Sequence, residues 1–98
     1  MKLWLISQSV NNNWDTFDSA VVAAETEEEA RMTYPTHYAG VVADRFWDGS
    51  TWLFRGSNGT VHRLGYSCWT TPDNVTVEFL ADGYDGPAGT VCASFNAG

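Results

Sequence analysis

Three consecutive glutamates, Glu27 to Glu29, stand in the stretch VVAAETEEEARMTYP between Val21 and Pro35. Carboxylates this close could share a proton or hold a cation. Their setting predicts a helix start instead. Thr26 followed three residues later by Glu29 is the spacing of a capping box. The threonine oxygen accepts from the Glu29 amide and the glutamate reaches back to the amide of Thr26. Acids here also face the positive end of the helix dipole, worth about 0.3–1 kcal/mol for each well-placed charge. Pro35 disfavours helical backbone at Tyr34, so one short helix of about two turns is expected near residues 26–34. Ala30, Thr33 and Tyr34 would be its packing residues.

Other reactive side chains lack the spacing that chemistry needs. DGYDG (Asp82 to Gly86) offers oxygen ligands and turn glycines without the D-x-D-x-D-G order or closing glutamate of a calcium loop, and reads as a hairpin connection. His37 and His62 belong to no metal-binding histidine pair, and His62 alternates between Val61 and Arg63 as a structural strand residue. Cys68 and Cys92 form no C-x-x-C. Cys68 with His62 as its base has no orienting third group or oxyanion hole. Neither G-x-x-x-x-G-K-[ST] nor G-x-G-x-x-G occurs. These patterns predict a protein that is not an enzyme and that uses no metal or cofactor.

One cluster points to binding. VVADRFW is expected to meet STWLFR across a two-residue type I′ turn at Asp48-Gly49, with Trp47 near Trp52. Rings at the tip of a hairpin cannot all be core. Tryptophan beside arginine is typical of protein-contact hot spots, and it also suits a planar phosphorylated ligand. The expected contact surface comprises Trp47, Trp52, Arg45 and Arg55, with the acidic loop at Asp82 and Asp85.

The elements around this cluster read mostly as strands. KLWLISQ (Lys2 to Gln8) is apolar on both faces, which suits a central strand covered on two sides. FDSAVVAA (Phe17 to Ala24) carries small residues on which a helix can pack. GSNG turns the chain into TVHRLG, extending the hairpin to a meander. VTVEFLA alternates, placing Val75, Val77, Phe79 and Ala81 on one face. DGYDGPAG then leads into TVCASFN, where Val91, Ala93 and Phe95 share a face. The expectation is a single α+β domain over residues 1–98. Its sheet is largely antiparallel, in the order β-β-α, a meander and a terminal hairpin.

Charge narrows the partners. Twelve acidic against five basic residues give −7, so phosphate backbones and anionic membranes are repelled at long range. MKLWLISQ has too short an apolar run for a signal-peptide core or a membrane span. A cytoplasmic protein with reduced cysteines is the expectation.

MKLWLISQ, the block DTFDSAVVAAETEEEAR leading to a proline, and the closing VCASFNAG together resemble a set of small phage and prophage proteins without an assigned activity. The tryptophan-rich middle follows no shared pattern, and the motifs bring no catalytic residues with them. The resemblance implies an accessory protein acting in a bacterial cytoplasm. With the small size and acidity, it leads to an expected function. The chain would be a non-enzymatic inhibitor that occupies a bacterial host protein or protein complex and blocks it, as anti-CRISPR and other anti-defence proteins do. A protein that sequesters a nucleotide signal, with a homodimer forming the pocket, is a second reading. A virion component is a third.

Overall fold

The computed structural model describes residues 1–11, 14–36, 45–56, 58–63 and 68–96. Among these residues, seven strands and one short helix follow in the order β1 (Lys2–Ser7), β2 (Thr16–Ala24), α1 (Glu27–Arg31), β3 (Arg45–Trp47), β4 (Trp52–Arg55) and β5 (Val61–Arg63). A 3-10 turn (Pro72–Asn74), β6 (Thr76–Ala81) and β7 (Gly89–Asn96) complete them. Every strand pair is antiparallel, in the α+β arrangement the sequence indicates. The strands divide into two sheets, β6-β1-β2-β7 and β3-β4-β5.

The expected terminal hairpin does not form. β6 and β7 occupy opposite edges of the four-stranded sheet. The reason lies in what each strand buries. Val77 of β6 lies opposite Ile6 of β1, and Ala93 of β7 lies opposite Ala20 of β2, so each outer strand meets a central one that already faces the core. The segment between them therefore crosses the end of the sheet and is tied there to the first residue. The Tyr84 amide donates to the Met1 carbonyl (2.9 Å) and the Met1 ammonium donates to the Tyr84 carbonyl (3.1 Å).

The core gathers on one face of this sheet. Ile6, Ala20, Val22 and Ala24 meet Ala30 and Tyr34 from the helix side, Trp52 from β4, and Trp69 and Val75. β1 is central, as expected. Its second face is less covered than the sequence suggests, and Leu3 and Leu5 are only half-buried beside Val21. The alternation expected in VTVEFLA also breaks. The partner register on β6 shifts between Leu3 and Trp4, and Phe79 and Leu80 are left 52% and 45% exposed.

Helix α1 starts where the sequence puts it and ends sooner. The Thr26 hydroxyl accepts from the Glu29 amide at 3.1 Å. The Glu29 carboxylate accepts from the amide of Glu25, one residue before the amide a capping box would use. The last turn tightens because the Thr33 amide bonds the Ala30 carbonyl and the Thr33 hydroxyl takes the Glu29 carbonyl. Tyr34 and Pro35 then leave the helix and are buried. No described helix is long and apolar enough to cross a membrane.

Candidate functional site

The tryptophan hairpin forms with Trp47 opposite Trp52, Phe46 opposite Leu53 and Arg45 opposite Phe54. Its turn lies one residue later than expected. Gly49 and Ser50 are the central pair, because the Asp48 amide donates to the Thr51 carbonyl. Gly49 has φ +107° and Ser50 does not enter the positive region. That is the sign pattern of a II′ turn, not of I′. The shift follows from Asp48, whose Oδ1 accepts from the amides of Ser50 (2.8 Å) and Thr51 (2.7 Å). These bonds hold the exposed Asp48 carboxyl below its usual range.

Pairing assigns each residue of the small sheet to one of two faces, since residues directly opposite share a face and neighbours alternate. The inner face carries Arg45, Trp47, Trp52, Phe54 and His62. Trp52 is only 5% exposed. Its indole N–H donates to the Thr70 carbonyl at 2.8 Å, and its ring meets Tyr34 and Trp47 edge-on at 5.1 and 5.4 Å. Arg45 lies 4.9 Å from the centre of the Tyr34 ring. The exposed His62 stacks on Phe54 at 5.1 Å.

The outer face carries Phe46, Leu53, Arg55, Val61 and Arg63. Phe46 and Leu53 are half-buried, and Arg55, Val61 and Arg63 are exposed. The Arg55 guanidinium lies 5.3 Å from the centre of the Phe46 ring.

The six residues expected to form one surface are thus separated. Trp52 belongs to the core and offers a partner almost no ring area. Trp47 packs beside it and is half-buried. Arg45 is exposed on the inner face, and Arg55 lies on the outer one. Asp82 and Asp85 are exposed on the segment that crosses the end of the other sheet. Phe46 belongs to the hairpin cluster that the sequence singles out, whereas Leu53, Val61 and Arg63 were not among the expected contact residues. The signal for them is parity: once Trp47 and Trp52 turn inward, strand alternation sends Phe46, Leu53 and Arg55 outward, and pairing with β4 adds Val61 and Arg63.

Charge is segregated between the two sheets. Arg45, Arg55 and Arg63, three of the five basic residues, lie on the small sheet. Among its described residues and turns the one carboxylate is Asp48. The acids of the larger unit include Asp15, Asp18, the four glutamates around α1, Asp73, Glu78, Asp82 and Asp85.

A groove of about 300 Å³ is lined by Met1, Glu25, Glu29, Tyr34 and Thr90 of the larger unit together with Arg45 of the small sheet. The two carboxylates offset Arg45 and the ammonium-bearing Met1, so the lining is not the net cationic cluster that a phosphorylated ligand favours. Cys68 and Cys92 are both free thiols. Burial pushes the Cys68 thiol up, only partly countered by Arg45, so it holds its proton at neutral pH, contrary to what a nucleophile needs. His37 lies outside the described residues. Among those described, no group of three or more His, Cys, Asp or Glu could hold a metal ion.

No family model, curated protein or solved structure matches the chain.

Proposed function

We propose that this chain is a non-enzymatic, phage- or prophage-encoded protein that binds a bacterial host protein in the cytoplasm and blocks it, an anti-defence inhibitor of the anti-CRISPR kind. The observation that carries the binding part is the outer face of β3-β4-β5. There the half-buried Phe46 and Leu53 and the exposed Val61 stand beside two exposed arginines, on a small sheet anchored from behind by Trp52. Open apolar area rimmed by arginine is the composition of a protein contact. The phage and host assignments come from the resemblance of the terminal blocks.

The nucleotide-sequestering reading is weaker, because the groove beside Arg45 has Glu25 and Glu29 in its wall. The test is affinity capture from bacterial lysate with the full chain as bait. Recovery of one partner in stoichiometric amount, whose activity falls when the chain is added, supports the proposal. Recovery of no stoichiometric partner across candidate hosts, or of a partner whose activity is unaffected, contradicts it.

A further inference from the structure

We infer that the outer face of the β3-β4-β5 sheet docks an acidic, extended protein segment, with carboxylates at alternate positions set against Arg55 and Arg63 and an apolar side chain against Phe46 and Leu53. The inference rests on the protein-binding reading and names the chemistry of the partner.

Charge supplies the first argument. On a chain of net charge −7 the strand residues of this face include two arginines and no carboxylate. The nearest described acid in sequence, Asp48, sits in the turn with Oδ1 engaged by the amides of Ser50 and Thr51. A segment arriving here meets a locally positive field.

Spacing supplies the second. Arg55 pairs with Val61, and Arg63 lies two residues along the same strand, opposite Leu53. Such a diagonal separates the two arginines by roughly 7–8 Å at the backbone. Side chains at alternate positions of an extended strand are about 6.6–6.8 Å apart and point the same way. Two carboxylates with one residue between them therefore match the backbone spacing of the two arginines. Phe46 and Leu53 pair directly with each other beside this diagonal and are half-buried, so an apolar residue of the same segment has their remaining exposed area to cover.

Size decides between a protein segment and a nucleic acid. β4 and β5 are four and three residues long, so the patch spans only about 10–14 Å along the strands. At physiological salt, charges are screened beyond about 8 Å. A short acidic segment stays within the arginine field. A phosphate polymer extends past it on a chain of net charge −7, which repels it at long range.

The test is selection from a random-peptide display library on the immobilised full chain, in parallel with the double variant Arg55→Glu, Arg63→Glu. Both arginines are exposed, and unchanged circular dichroism and tryptophan emission establish that the variant is folded. A second variant, Arg55→Lys with Arg63→Lys, keeps the charge. The wild-type chain is expected to enrich net-negative peptides with carboxylates one residue apart and at least one large apolar residue. Charge reversal should weaken these peptides by about tenfold or more, and the lysine variant should retain most of the binding. Enrichment of neutral or basic peptides, equal binding of acidic peptides to the charge-reversed variant, or no enrichment overturns the inference. Tighter binding of a single-stranded oligothymidylate than of the selected peptides overturns it as well. Selected acidic peptides without any captured host protein remove the proposed function and leave this surface standing. A host protein captured equally by the charge-reversed variant does the opposite.

Discussion

The guanidinium of Arg55 lies across the ring of Phe46, 5.3 Å from its centre, on the face of the small sheet that points away from the core. A cation over a ring at the surface contributes about 0.5–1 kcal/mol, so this pair is a minor part of the fold. Its larger effect is to cover an apolar ring that would otherwise stand open. Arg55→Ala should lower stability in urea unfolding by no more than about 1 kcal/mol and raise binding of an apolar fluorescent dye. A loss beyond about 2 kcal/mol would instead make Arg55 part of the framework.

Trp52 is where stability concentrates. It is buried between Tyr34 and Trp47, and its N–H satisfies the Thr70 carbonyl. Trp52→Ala should cost about 3–5 kcal/mol, a large share of the 5–15 kcal/mol typical of a domain. Trp52→Phe keeps most of the ring but leaves the buried Thr70 carbonyl unpaired, for about 1–3 kcal/mol. Trp47→Ala should cost less than Trp52→Ala, because Trp47 is only half-buried. Urea unfolding of the three variants checks the order.

How much of this was legible in the sequence depends on the range of the interaction. Local chemistry was. Thr26 caps α1 through the Glu29 amide, and Trp47 and Trp52 pair across the hairpin. Choices settled by tertiary packing were not. DGYDGPAG has the composition of a tight connection, yet it spans the sheet end because β6 and β7 each find a better apolar partner in β1 and β2 than in each other. The outer face proposed here for binding was not singled out, for a related reason. Alternation divides the small-sheet residues into two sets but does not say which set the core takes. Tryptophan beside arginine suggested the set holding Trp47 and Trp52, whereas the core under Tyr34 and Trp69 took that set and left the other outside.

The two cysteines should separate by reactivity. Cys92 is exposed on β7, and Cys68 is half-buried with its thiol pushed up by desolvation. Maleimide labelling of the native chain near pH 7 should modify Cys92 first, with Cys68 following only in denaturant. Peptide mass analysis identifies the labelled site, and faster labelling of Cys68 in the native chain would contradict its burial.

Asp48 gives the hairpin an acid-sensitive component. The amides of Ser50 and Thr51 hold its carboxyl below the unfolded value of 3.8, so their contribution to stability is complete above that pH. It is lost as the pH falls through the lower, folded value. The stability difference between the wild-type chain and Asp48→Ala should be constant at neutral pH and shrink once the pH drops below 3.8. A gap that stays level from about pH 6 to pH 2 would show that the carboxylate is not what the turn uses.

The most direct test of the proposed surface compares affinity capture from bacterial lysate by three forms of the chain: wild type, Arg55→Glu with Arg63→Glu, and Asp82→Asn with Asp85→Asn. If the outer face of the small sheet makes the contact, the wild type and the asparagine variant recover the same stoichiometric protein and the glutamate variant does not. Retention of that protein by the glutamate variant, with loss in the asparagine variant, would place the contact on the crossing segment and contradict the account.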